Sequence, residues 1–215
     1  IDYLDWQPDA PLGVDTSRVE WCVEPKVDGV FVNLRYLYGT LICMATSGQY
    51  VTRHASSVAG IPLRIEWTRD LIEIRGDIYI AQQDFALINA ERMRLGRKPF
   101  VSPQKVVNGA LKLDDSGESA TRRLRFMAFE LGECAGDTPA TQSGLLEWLR
   151  ARGCPVPPHG VCMTGALEET IRSIGSQGWA FDTLGVTVKL NDREAQRQLG
   201  YESAGVDPTD RKSVV

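Results

Sequence analysis

Hydrophobic and polar positions alternate with a period of two along residues 30–36. Val30, Val32, Leu34 and Tyr36 fall on one face, Phe31, Asn33 and Arg35 on the other. A Tyr38-Gly39-Thr40 turn then leads into a second strand over 41–46, which predicts a hairpin. Residues 71–80 repeat the alternation more sharply. Ile72, Ile74, Ile78 and Ile80 share one face, and Glu73, Arg75, Asp77 and Tyr79 the other. A charged stripe on a strand with so apolar an opposite face calls for charge partners or a ligand. Another strand is expected over 124–131 and a last one over 186–190.

Helical spacing fills the intervals. Asp84 is placed to cap a helix running to about Arg94, before the turn signal Gly96-Arg97-Lys98-Pro99. Thr141 caps a helix that aligns Leu145, Trp148 and Leu149 and ends at Gly153. Pro155, Pro157 and Pro158 make an extended connector. Thr164 then starts a helix aligning Leu167, Ile171 and Ile174, and Asn191 or Asp192 caps one that stops at Gly200. Neither repeats nor low-complexity stretches interrupt the pattern. An α+β fold follows, with antiparallel sheets and helices packed outside.

Composition narrows the partners without naming one. The 215 residues suffice for a large core, and 43% hydrophobic with 24% charged residues describes an ordinary globular chain. A net charge of −4 offers no global attraction to nucleic acid, so any such contact must be local. The clusters around Arg92–Lys98 and Arg122–Arg125 read more simply as solvated surface, and His54 and His159 as solvent-facing. Five cysteines, odd in number and without a C-x-x-C pair, argue for free thiols in a reducing compartment and against zinc. No apolar run reaches the ~18 residues of a membrane span, and no signal peptide opens the chain. Ile1 is not an initiator, so a domain or fragment is expected.

The densest chemistry lies in Glu24-Pro25-Lys26-Val27-Asp28-Gly29, a lysine on a turn with a carboxylate two residues to either side. Such a lysine is either an ion-pair partner or a nucleophile. A nucleophilic amine must be neutral, which requires a pKa well below the ordinary ~10.4. Attack on a nucleotide phosphate also needs cations around the phosphate, a ring to stack on the base and a carboxylate for the ribose. Lys189, Phe129 and Asp77 supply these residue types. For Asp77 a charge network with Arg75 and Glu73 is a nearly equal reading, and for Phe129 so is a place in the core.

The order of these segments resembles the adenylation domain of bacterial NAD-dependent DNA ligases from about Trp21 to Tyr201. Glu24–Gly29 is similar to the family's E-x-K-x-D-G motif, Arg75–Tyr79 to R-G-E-x-Y, and Arg125–Gly132 to R-F-F-x-Y-G-x-G. Thr141-Gln142-Ser143 with Gly153-Cys154-Pro155-Val156 is similar to T-Q-S…G-F-P-V. Residues 181–191 are similar to F-x-x-D-G-V-V-x-K-V-N, and Leu199-Gly200-Tyr201 to L-G-Y. The resemblance implies the nucleotidyltransferase (ATP-grasp-like) fold over 21–201, with 1–20 as a lead-in and 202–215 as a tail. It implies Lys26 as the AMP-accepting nucleophile, Glu24 at the adenine amino group, Asp77 at the ribose, Phe129 stacked on the base and Lys189 at the α-phosphate. Val27, Asp28 and Lys212 carry over as further nucleotide-binding positions; no protein metal site is implied.

The implied activity is formation of lysyl-AMP from NAD, with Mg²⁺, for sealing nicked DNA, in a cytoplasmic monomer with no membrane contact. The family's OB-fold, zinc and helix-hairpin-helix regions and its N-terminal helical subdomain are not expected within these 215 residues, so at most the first step is expected of them. Alternatives are a ligase-like adenylyltransferase with another acceptor, an RNA end or a small molecule, and a non-catalytic nucleotide-binding module.

Departures from the family pattern cluster around the nucleotide. Its T-R-G-D-G-x-x-G-E-D-V-T loop is reduced to residues 45–52 without the arginine, through a deletion or an unseen loop. Asp77 replaces a glutamate and Leu184-Gly185 an Asp-Gly. Gln104, in Ser102-Pro103-Gln104-Lys105, stands where the family has arginine. Lys212 lies near the place of the family's last lysine without its surrounding motif.

Overall fold

The computed structural model describes residues 18–198, apart from 115, 116, 118 and 119. Lys212, the Leu199-Gly200-Tyr201 segment, and most of the lead-in and the whole tail lie outside the described residues.

Two antiparallel sheets form. The larger has the order β4-β3-β2-β5-β6 and is built from β2 (Val30–Leu37), β3 (Thr40–Thr46), β4 (Gln49–Tyr50), β5 (Leu71–Tyr79) and β6 (Arg125–Cys134). The smaller has the order β7-β1-β8, from β1 (Glu20–Val27), β7 (Gly160–Met163) and β8 (Thr183–Leu190). The Lys26 turn therefore does not close a β1–β2 hairpin. Asp28 and Gly29 carry the chain from one sheet to the other, because β1 pairs with β7 and β8 and β2 pairs with β3 and β5.

The predicted alternation holds at the level of packing. Val32, Leu34 and Tyr36 of β2 and Ile72, Ile74 and Ile78 of β5 are fully buried. They form one core with Val107, Ala110 and Leu111 of α2 (Pro103–Leu111) and Leu145, Leu146 and Leu149 of α3 (Gln142–Ala151). A second core sets Leu167 and Ile174 of α4 (Leu167–Gly175) against Trp21, Val23 and Leu190 of the small sheet. At ~25 cal/mol per Å² of apolar surface removed from water, these two cores supply most of the drive to fold.

Two glycines let the framework close. A Cβ on Gly76 would lie 2.3 Å from the Met127 carbonyl oxygen and 2.4 Å from the Phe126 ring, so β5 and β6 pair this closely only with glycine there. A Cβ on Gly29 would meet Asp77 Cβ and the Ile78 carbonyl, each at 2.8 Å, which seats the sheet-crossing turn directly against β5.

Several expectations are corrected. Asp84 is not a cap. Ala81 holds that position for α1 (Gln82–Arg94), and Asp84 sits in the first turn, accepting from Arg123 at 3.1 Å and Arg125 at 3.0 Å. Helix α2 was not anticipated, although Ser102 accepts from Lys105 N and Pro103 begins the helix. Thr164 begins a 3₁₀ turn before α4 and accepts the Trp21 indole N–H at 2.9 Å. Thr141 does cap α3, accepting from Gly144 N at 3.1 Å, and Asp192 caps α5 (Arg193–Gln198). The shortened loop is a closed two-residue turn, with Thr46 paired to Gln49 across Ser47-Gly48. All five cysteines are free.

His54, expected in solvent, is 0% exposed. Arg53 Nε lies 3.2 Å from its Nε2, and burial, reinforced by the Arg53 charge, holds the imidazole below the ordinary histidine range. The unfolded chain takes up this proton near pH 6.5 and the folded chain only at lower pH. Stability should therefore be intact above about pH 6.5 and fall below it, by up to ~1.4 kcal/mol per pH unit until the lowered folded pKa is passed. Urea midpoints at pH 7.5 and 5.5 should show this loss in the native chain and less of it in His54→Gln.

Candidate active site

Side chains alternate along β1, so Trp21 and Val23 face α4 while Cys22 and Glu24 lie on the other face, and the register to β8 shifts between Pro25 and Val27, around Lys26. Strand β8 follows the same logic: Val186, Val188 and Leu190 pack toward α4, and Lys189 projects from the opposite side. The extra residue in the β1–β8 pairing lies at Leu184-Gly185, where Gly185 has φ of 124°. Asp28 N then bonds to Asp182 O at 2.8 Å, which fixes the turn after Lys26.

Glu24 is the deepest charge of the site, 2% exposed. Lys189 Nζ lies 3.1 Å from each of its carboxylate oxygens, and Gln142 Nε2 donates to Oε1 at 3.0 Å. Lys189 Nζ also approaches the Phe129 carbonyl at 3.4 Å and stands 5.4 Å from the centre of the Phe129 ring. Gln142 Nε2 donates to the same carbonyl at 3.1 Å. Phe129 is the bulged residue of β6, because Arg75 pairs with Glu130 and Gly76 with Ala128. Its half-buried ring lies 6.3 Å from Phe31 of β2. Cys22 Sγ is 3.8 Å from Glu24 Oε1; burial and the Glu24 charge push this thiol far above the usual range, so it is a neutral packing neighbour.

The expected nucleotide residues are thus distributed in three ways. Glu24, Phe129 and Lys189 come together in one network. Asp77, 3% exposed, lies beneath the turn at Gly29, in register with Phe31 and Met127. Beside it on β5, Glu73 accepts from Arg35 at 3.0 Å and Arg75 at 2.9 Å, and Arg75 reaches Glu130 at 3.6 Å. Val27 is 5% exposed and packs its side chain with Met127 and Phe181, in register with Thr183 of β8. Asp28 accepts from Gln104 Nε2 at 2.5 Å, which ties α2 to the lysine turn. Lys26 is half-buried, and among the described residues no hydrogen bond or ion pair engages its amine.

Gln142 is the residue that sequence reasoning passed over. The Thr141-Gln142-Ser143 motif by itself gives it no role, yet it is 2% exposed and bonded to two site groups. The available signal was a long polar residue directly after a helix cap, on a helix whose other inward positions are leucines. An open cavity of about 500 Å³ lies elsewhere, lined by Gln49, Tyr50, Val51, Arg53, Leu111 and Lys112. It includes none of the residues just described.

These observations define a domain with a lysine at a sheet crossing and a base-sized aromatic and acid–base network beside it. The chain matches the NAD-dependent DNA ligase adenylation domain family over residues 6–205 and belongs to that family, whose fold is that of the nucleotidyltransferases. It is 34% identical over 201 residues to a DNA ligase of Thermodesulfovibrio yellowstonii, covering 87% of this chain and 30% of that protein. It is 38% identical over 199 residues to a DNA ligase of Methylorubrum extorquens, covering 87% and 24% respectively. A solved structure of mycobacterial DNA ligase D complexed with ATP and MES aligns over 82% of this chain and 51% of that one, with 17% identity and a TM-score of 0.44. The chain spans under a third of the length of these curated relatives. No helix of the described residues is long and apolar enough to cross a membrane.

Glu24→Gln leaves the Lys189 ammonium without its countercharge at a position where only 21% of its side chain is exposed. A destabilisation of about 2–4 kcal/mol is expected. Combining it with Lys189→Met should restore part of that loss. Additive effects in a urea-denaturation double-mutant cycle would show that the two groups are not coupled.

Proposed function

We propose that this chain is the nucleotide-charging unit of an NAD-dependent DNA ligase and that Lys26 carries AMP. The observation that carries the proposal is the contrast between the two lysines of the site. Lys189 is held by a buried carboxylate, whereas Lys26, two residues after Glu24 on β1, is half-buried and engages no partner among the described residues. An amine kept partly from water without a countercharge is costly, and a role toward a ligand accounts for its retention.

In the proposed reaction the neutral Lys26 amine attacks the adenylyl phosphorus of NAD. A P–N bond forms, the P–O bond to nicotinamide mononucleotide breaks, and the amine proton is released to solvent. Phe129 stacks on the adenine, Glu24 meets its amino group, and Asp77 takes the ribose hydroxyls. The Val27 backbone and Asp28 border the phosphate beside Lys26. Lys189 is assigned in the family pattern to the α-phosphate. Its grip on Glu24 and its place over Phe129 favour a position at the base end, and reaching a phosphate requires it to leave Glu24.

Among the described residues no group of three or more His, Cys, Asp or Glu side chains converges. Mg²⁺ would enter with the nucleotide phosphates, as one or two carboxylates plus phosphate oxygens commonly hold it. In a full-length ligase the AMP would pass to the 5′-phosphate of nicked DNA. A monomer in the cytoplasm suits that role.

Incubation with Mg²⁺ and NAD should add the mass of one AMP to the intact protein, ATP should not, and Lys26→Ala should abolish the adduct. No adduct from either nucleotide would mean a nucleotide-binding module without transfer chemistry.

A further inference from the structure

Gln142, Glu24, Lys189 and the Phe129 carbonyl form a closed ring of hydrogen bonds in which each member touches two others. Two of the four come from the small sheet, one from the large sheet and one from α3. Lys189 alone joins the carboxylate to the carbonyl as a flexible point charge. Gln142 joins the same two groups through one planar amide nitrogen, whose two N–H bonds diverge at a fixed angle.

The Phe129 carbonyl has unusual need of such donors. It belongs to the bulged residue of β6, where the ladder to β5 is interrupted, and two side chains, Gln142 and Lys189, approach it. The ring of Phe129 is aimed by that same peptide. The base of α3 is itself fixed: Gln142 N donates to Asn191 O at 2.7 Å and Ser143 N to Asn191 Oδ1 at 2.9 Å. Asn191 in turn bonds back to Glu20 through its backbone N at 2.7 Å and through its side chain. The amide of Gln142 is thus held from behind by β8 and points at the two groups proposed to meet the base.

We propose that Gln142 is a positioning residue for the nucleotide base: its amide sets the Glu24 carboxylate and the Phe129 ring at once, and thereby fixes the edge and face that an adenine meets. The inference rests on the reading of this site as an adenine nucleotide site. A lysine would add charge beside Lys189, a glutamate would oppose Glu24, and methionine fills the volume without a donor. Loss of the amide opens the ring, so binding of the base weakens while the Lys26 chemistry, once a nucleotide is seated, is little changed.

The test compares native protein, Gln142→Met and Gln142→Glu by calorimetric AMP binding across pH 8 to 5.5, with the NAD dependence of adduct formation measured alongside. In Gln142→Met the Kd for AMP and the KM for NAD should each rise roughly tenfold, a loss of ~1.4 kcal/mol, with the saturated rate of adduct formation nearly unchanged. Gln142→Glu should bind poorly at pH 8, where two carboxylates oppose, and recover at pH 5.5, where a shared proton restores one donor. That recovery is internal to one folded variant and persists as a test if Gln142→Met folds badly. Native-like AMP binding by Gln142→Met, or absence of any pH-dependent recovery in Gln142→Glu, overturns the inference. Native protein that binds AMP but forms no adduct overturns the covalent reading alone. Native protein that binds no AMP overturns both.

Discussion

A buried carboxylate governs how this domain is put together around its site. Glu24 is nearly removed from water, and an unpaired ion so placed would cost several kcal/mol. Its compensation comes from Lys189 on the neighbouring strand and Gln142 on a helix. Those partners are also bound to the Phe129 carbonyl of the other sheet. Satisfying one charge thereby ties two sheets and α3 together. The packing of Val186, Val188 and Leu190 under α4 serves the same end, because it forces the alternate residue, Lys189, to the opposite face.

The second constraint is steric. The chain passes from the small sheet to the large one within Asp28-Gly29, and the passage touches β5 so closely that only glycine is accommodated. Lys26 therefore sits at the point where the sheets are joined, three residues before the glycine that packs on Asp77, which is some fifty residues away in the chain. Gln104 and Asp182 brace Asp28 from α2 and from the start of β8.

Local pattern made much of this legible. The alternation in 30–36 and 71–80 identified both buried faces of the large sheet, and the Thr141 cap and the leucines after it identified α3, because side-chain period and capping are properties of a few adjacent residues. Family likeness in Glu24–Gly29 and in 181–191 marked the lysines. The failures share a different origin. Asp84 looked like a cap until Arg123 and Arg125, remote in sequence, claimed it. His54 looked solvent-facing because nothing nearby in the chain announces that it is buried in the core region. Strand β7 has four residues, too few for an alternation to register.

The sequence by itself determined the class of this protein. Its periodicities dictate antiparallel strands with outer helices, and the order of its motifs places it among the adenylation domains of NAD-dependent DNA ligases. Only the tertiary structure decided what each site residue touches. Strand pairing is chosen by burial summed over whole sheets, so β1 joined β7 and β8, and the turn after Lys26 crosses from that sheet to the other. That pairing set Lys189 on Glu24, left Lys26 without a partner among the described residues, and brought in Gln142, whose role is created entirely by residues distant in the chain.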